Sequence, residues 1–416
     1  RIEIMAALIM AGLNLRSGRG GLMRRLALGF VACWLHPASA EEDVVKKVIS
    51  TPWWPPGTEK TAESVGILSH GFVFMTAMME VNETLHKTAT QEISDVRDIA
   101  VAAGANLTDL VDCFVNAPKG ASGPVKEALM AALSDVQDAP PALTVVEMPG
   151  EYEFVPNSIM CTASLPHDDP FERRRTWRHD GMYGVSARGM LFFQGASASS
   201  SDNAFHETQD ILSRMQQMGQ IAGDGDAFFL VDCTGYLVHI EDSAAVRQAF
   251  DSYVESRTPR LQPAITVLQA GGLPEGRSVL LRCTGSFASR RPQPLSIQGA
   301  AITDRFVFPS AILGHNSTGF DAFADLERVL KSAEVSLEEV VSCSFFVQDQ
   351  AKMFDLFAGF YETFNKDNPP PPTRGEYQAQ SECAACHVAV KCVAARLPNA
   401  TSRSSLRSDG ELQLII

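Results

Sequence analysis

Apolar residues fall along this chain in short blocks whose order repeats three times. Each round opens with a compact β run rich in Phe, Met and Val, at Gly71–Ala77, Gly189–Gly195 and Arg305–Ala311. A helical stretch follows each run, clearest at Asp321–Ala333, where Phe323, Leu326, Val329 and Leu330 share one face. Next come three matching β runs, Leu110–Val115, Leu230–Gly235 and Val340–Phe345, and then a second helix, for example Ala351–Asn365. A proline-bearing bend closes each round, at Pro141–Thr144, Pro263–Thr266 and Pro372–Gly375. It leads into a last strand at Ser158–Thr162, Leu280–Thr284 or Ala389–Val393. The spacing from Leu143 to Ser158 equals that from Ile265 to Leu280 and from Arg374 to Ala389. Register kept through three copies identifies an internal triplication of one small α+β domain.

The repeat divides the 416 residues into an upstream segment with a signal peptide (1–40), three domains (60–166, 170–288 and 293–397) and a tail (398–416). Short polar or proline-bearing linkers lie near 167–169 and 289–294. Composition adds little to this: 45% apolar and 20% charged residues are ordinary for globular domains. Charge changes more. A net charge of −14 argues against nucleic acid as a ligand, because a phosphate-binding surface releases counterions through a basic face. A small anion held by a local cation stays open. No apolar run reaches the roughly 18–20 residues that span a bilayer.

Near the start, Met23-Arg24-Arg25 precedes the apolar stretch Leu26–Leu35 and then Pro37-Ala38-Ser39-Ala40. A basic head, an apolar middle and an Ala-x-Ala-like site make up a secretory signal peptide, which places the mature start near Glu41. A mitochondrial presequence, and so an organelle, is the alternative. Sequons at Asn82, Asn106, Asn316 and Asn399 agree with the secretory route.

The whole pattern resembles the RidA/YjgF family of reactive-intermediate deaminases, also called endoribonuclease L-PSP-like. The third copy carries the closest likeness. Ser336-Leu-Glu-Glu-Val-Val-Ser-Cys-Ser-Phe-Phe-Val-Gln-Asp349 resembles the family's helix-to-strand segment, and Pro371-Pro372-Thr373-Arg374 resembles its Pro-Ala-Arg signature. The resemblance implies a chorismate-mutase-like domain with two helices on one face of a mixed sheet. Three such domains in one chain would form a monomeric pseudo-trimer around a central barrel. It also implies clefts at the domain junctions that take small 2-imino, 2-enamino or 2-oxo carboxylates and hydrolyse the first two to 2-oxo acids and ammonia.

That chemistry needs a bidentate cation for the carboxylate and an acceptor that orients water. Only Arg374 occupies the family's arginine position, where Leu143 and Ile265 stand in the other copies. The glutamate position falls on Ser158, Leu280 and Ala389, so no copy retains the carboxylate. Strand alternation puts His387, Ala389 and Lys391 on one face, with Val388, Val390 and Cys392 on the core face. His387 is thereby the candidate catalytic residue, a water-orienting base near neutral pH, with an ordinary strand-end histidine as the alternative. Ser310 and Glu376 are the further substrate-binding candidates, and no metal site or cofactor is expected.

Cysteines occupy two repeat positions: Cys113, Cys233 and Cys343, and then Cys161, Cys283 and Cys392. Buried thiols acting as small hydrophobes are the favoured reading, with one disulfide per domain as the alternative. Cys383-Ala-Ala-Cys386-His387 has the c-type haem spacing, but overlaps a turn and strand that the repeat already explains, so a local redox disulfide is the better expectation. Two functions remain open, an imine/enamine deaminase with one cleft around Arg374 and a catalytically degenerate scaffold for small carboxylates or protein partners.

Overall fold

Each copy of the repeat folds as a mixed sheet with helices on one face, because its strands alternate between a helix-covered core and an opposite buried face. The computed structural model describes residues 46–396 apart from 50–63, 79–84, 137, 148, 150–157, 200–202, 258, 274–276, 289–293, 298, 315–318, 349–350, 365–371 and 384. The expected signal peptide and the sequons at Asn82, Asn316 and Asn399 lie outside the described residues, whereas Asn106 is exposed. All three copies belong to one compact unit.

In the first copy the order is β1 (Lys47–Ile49), β2 (Gly66–Ser69), β3 (Phe72–Met78), α1 (Leu85–Ala102), β4 (Leu110–Ala117), α2 (Ser122–Ala132), β5 (Ala142–Glu147) and β6 (Ser158–Ser164). The second has β7 (Arg175–His179), β8 (Met182–Ala187), β9 (Met190–Phe193), β10 (Ala196–Ser197), α3 (Ala204–Ala222), β11 (Phe228–Leu237), α4 (Ser243–Glu255), β12 (Ala264–Gln269) and β13 (Val279–Phe287). The third has β14 (Leu295–Ile297), β15 (Ala300–Ile302), β16 (Phe306–Pro309), β17 (Ile312–Leu313), α5 (Gly319–Ser332), β18 (Val340–Val347), α6 (Ala351–Thr363), β19 (Thr373–Gln378) and β20 (Val388–Ala395).

Strand order repeats too. It runs β1-β2-β3-β6-β4-β5 in the first sheet, β7-β8-β9-β13-β11-β12 in the second and β14-β15-β16-β20-β18-β19 in the third. Only the last pair of each is parallel, β4 with β5, β11 with β12 and β18 with β19. Two features were not expected. The segments read as proline-bearing bends hold these parallel edge strands, and an extra two-stranded hairpin precedes each opening β run. The proline sits just before each edge strand, where its missing N–H breaks no ladder bond. In the first copy the hairpin begins at Lys47, before residue 60.

Each helix pair packs on its own sheet. Ile93, Val96, Ile99, Val125 and Leu129 close over Val73, Met75, Val115 and Ile159 in the first copy. In the third, Phe323, Leu326 and Leu330 of α5 are buried against Phe345, Phe360 and Val390, as helical spacing requires. The cysteines lie in these helix-covered cores, but not as thiols. Cys113–Cys161, Cys233–Cys283 and Cys343–Cys392 are disulfides, and Cys383–Cys386 is a fourth. The physical reason is register. Antiparallel pairing sets the two repeat positions directly opposite each other, with Cα atoms 4.0–4.1 Å apart. The favoured thiol reading is corrected accordingly.

The other face of each sheet turns to its neighbours. Ile67, Phe72, Val185, Met190, Ala301 and Phe306 form one cluster shared by all three copies, and Phe114, Tyr236, Leu280, Phe346, Tyr377 and Ala389 form another. The expected central barrel is not closed by hydrogen bonding, since strand pairing leaves three separate sheets. Threonine hydroxyls take the amides where sheets approach: Thr144 Oγ1 accepts from Gly195 N at 2.8 Å and Thr266 Oγ1 from Ala311 N at 2.9 Å.

Removing one cross-strand disulfide, as Cys233→Ala with Cys283→Ala, frees a loop of sequence separation 50 in the unfolded chain. Chemical denaturation should show a loss of about 2–4 kcal/mol. An unchanged midpoint would mean that the bond does not form in solution.

Candidate functional site

A bulge shared by all three copies builds the junctions. The pairing of β4 with β6 shifts between Leu110 and Asp112, that of β11 with β13 between Leu230 and Asp232, and that of β18 with β20 between Val340 and Ser342. A bulge points two successive side chains to the same side of a strand. Val111, Val231 and Val341 therefore enter the shared apolar cluster, and the residue after each lines a central cavity of about 100 Å³. Strand alternation resumes beyond the bulge and returns each cysteine to the helix side.

Around that cavity the copies meet in a cycle. Asp112 of the first copy, which is buried, pairs with the half-buried Arg282 of the second. Asp232 of the second copy pairs with Lys391 of the third, Nζ to Oδ1 2.9 Å, and Lys391 also donates to Thr234 Oγ1 at 2.6 Å. At the closing junction Ser342 and Ser344 of the third copy face Met160 of the first, with Ser344 Oγ 3.4 Å from the sulfur. Arg282, Lys391 and Met160 occupy one repeat position, and Asp112, Asp232 and Ser342 another. Acid and base are thus lost together at the third junction, which leaves no unpaired charge. Burial holds Asp112 above the usual carboxylate range despite Arg282, and pulls Lys391 below the usual amine value despite Asp232. Arg282 also lies over the Phe114 ring, 5.1 Å from its centroid, and Phe114 stacks on Tyr236. Sequence reasoning missed this ring, although an acid at one repeat position and a base at another were its visible trace.

The cycle separates the site residues expected from sequence. The backbone of Arg374 in β19 pairs with Cys343, and β19 packs on β3 and β6 of the first copy. A Cβ on Gly375 next to it would meet Met160. The strand of the first copy that β19 packs on, β6, begins at Ser158. The backbone of Glu376 pairs with Phe345, and the side chains of Arg374, Glu376 and Ser158 lie outside the described residues. His387 belongs to a different junction. It precedes β20, whose Lys391 faces the second copy; its Nδ1 lies 3.0 Å from Gln348 Oε1, and its carbonyl accepts from Gln348 N. Ser310 is at that second junction as well, where its Oγ accepts from Ile265 N at 3.0 Å. Neither is brought to Arg374. Leu143 and Ile265, at the arginine position, are buried among their own helices. Leu280 and Ala389, at the glutamate position, are buried in the shared cluster. Cys383 and Cys386 are bonded to each other, so the haem spacing offers no free thiols. Among the described residues no group of three or more His, Cys, Asp or Glu could hold a metal, and no helix is long and apolar enough to cross a membrane.

No family model and no curated protein matches the sequence. Solved structures do. A chorismatase superposes with a TM-score of 0.52 at 11% identity, over 77% of this chain and 98% of its own, a likeness of fold. A YjgF-family member from Neisseria meningitidis covers 28% of this chain and 96% of its own, at 20% identity and a TM-score of 0.24. The YjgF gene product of E. coli covers 25% and 84%, at 16% identity and a TM-score of 0.23.

The coupled losses at the third junction predict a double-mutant cycle. Asp112→Ser alone leaves the half-buried Arg282 without its partner and should cost about 3 kcal/mol in thermal or urea unfolding, the low end for a broken buried pair. Adding Arg282→Met reproduces the third junction and should recover most of that loss. Additive losses would contradict the pairing.

Proposed function

We propose that the chain is a RidA-like monomeric pseudo-trimer. Its working cleft lies between the third and first copies, and it binds a small 2-oxo or 2-imino carboxylate through Arg374. The observation that carries this reading is the cyclic junction. β19, which carries Arg374, packs on β3 and β6 of the first copy, whereas the equivalent strands carry Leu143 and Ile265, both buried among their own helices. A planar guanidinium gives a carboxylate two parallel hydrogen bonds, which neither aliphatic side chain can replace.

Binding is supported better than hydrolysis. Water that attacks an imine carbon needs an acceptor within hydrogen-bond reach, and no copy keeps a carboxylate at the glutamate position. Leu280 and Ala389 sit there in apolar packing, and His387 stands at another junction beside Gln348. The deaminase reading rests on the family resemblance and would need a different water-orienting group. The chorismatase likeness speaks to fold and contributes no substrate. The internal disulfides, together with the signal-peptide-like segment, support a secretory compartment, because such bonds persist under oxidising conditions.

Calorimetric titration with 2-oxobutyrate tests the site. Arg374→Lys should weaken binding by about 1–3 kcal/mol, and Arg374→Ala should abolish it. Affinity unchanged by Arg374→Ala would refute the cleft. His387→Ala should leave binding intact and, when 2-iminobutyrate is supplied, leave oxo-acid release at the uncatalysed rate. Turnover lost with His387 would establish the deaminase instead. A scattering mass of one chain is expected, and three chains per particle would exclude the pseudo-trimer.

A further inference from the structure

In the second copy an open cavity of about 430 Å³ is bounded by α3, α4 and the start of β11. Its wall is apolar where Phe228, Phe229 and Leu261 line it and polar where Gln216, Tyr253 and Arg257 do. Tyr253 is held in place, its hydroxyl donating to Gln216 Oε1 at 2.6 Å. The Arg257 guanidinium lies over the Tyr253 ring, 4.5 Å from its centroid. That stacking holds the guanidinium plane in one orientation. Its Nε is buried with no hydrogen-bond partner, and no ion pair to Arg257 occurs among the described residues. The one acid in the lining, Asp226, is half-buried and has an interaction of its own.

A half-buried guanidinium held in one plane at a cavity wall, with no protein acceptor for its Nε, is set to take an anionic ligand. We propose that this cavity is a second small-molecule site, which takes an organic monocarboxylate with a flat apolar body. The carboxylate binds Arg257 and the body lies against Phe229 and Leu261. The volume suits a ligand of that class, and an apolar pocket with one oriented cation is the usual build of such a site. The repeat supports specificity. Register from Leu143 and Ile265 puts Ala131 and Asp135 of the first copy, and Glu362 and Lys366 of the third, where the second has Tyr253 and Arg257. Neither combination makes a stacked guanidinium. The site also stands apart from Arg374, which belongs to β19 and the first copy's side of the molecule.

Benzoate and its neutral isostere benzamide are the probes, titrated into the full chain by calorimetry. Wild type should bind benzoate saturably and benzamide far more weakly. Arg257→Gln keeps a planar group of similar shape and should weaken benzoate by about 10- to 100-fold. Ala227→Trp, at an exposed wall position, should block the cavity without touching a core. Unfolding midpoints of both variants should stay at the wild-type value. Should Arg257→Gln not fold, Ala227→Trp decides alone. The proposal is overturned if wild type shows no saturable benzoate binding, or if benzoate binds a folded Arg257→Gln or Ala227→Trp as it binds wild type. Benzoate affinity abolished by Arg374→Ala and untouched at Arg257 would overturn it too, by placing the probe in the other cleft.

Discussion

Three sheets can share one interior only if each turns a second buried face to the others, and the bulge in β4, β11 and β18 is what makes that face polar at its centre. Without it, the residue after the bulge would point with the helix-side positions. With it, Asp112 and Asp232 reach across to Arg282 and Lys391 between two apolar clusters. Buried ion pairs are seldom a large source of stability, because desolvation consumes most of the attraction. Their effect is on register: a slipped junction would strand a charge in an apolar interior, which is far worse than the correct pairing is good. The two charged junctions therefore set which copy sits beside which.

The third junction shows how a cycle of this kind tolerates loss. Ser342 and Met160 replace acid and base together, and the neighbouring strand position changes from Thr144 and Thr266 to Gly375. An added Cβ at Gly375 would collide with Met160 and with the Tyr377 hydroxyl, so the methionine occupies space the glycine leaves. Charge, hydrogen bond and side-chain volume have thus all changed at one interface, which is also the interface that carries Arg374.

Much of this was legible in the sequence, and the limits have physical causes. Triplication, the helix faces and the inward set Val388, Val390 and Cys392 follow from periodicity, which depends on burial of one face at a time. The edge strands escaped because Pro141, Pro263 and Pro372 stand at their starts, and a proline reads as a break unless the strand is known to lie at an edge. The disulfides depended on cross-strand register, which two equally spaced cysteine positions hint at but do not fix. His387 was joined to Arg374 because both lie in one copy. Placing them at different junctions required knowing that β19 and β20 face opposite neighbours.

That last point carries a general consequence for fused repeats. In a homotrimer every junction is identical, so a residue matched to a family position is automatically matched to its partner across the interface. In a single chain the two sides of each junction come from different copies, and they drift independently. Here β19, the strand of Arg374, packs on β3 and β6 of the first copy, whereas Leu143 and Ile265 turn to their own helices and Leu280 and Ala389 to the shared cluster. Each junction must therefore be judged as a pair drawn from two copies. By that measure two of the three keep an acid and a base, Asp112 with Arg282 and Asp232 with Lys391, and the third has exchanged both for Ser342 and Met160.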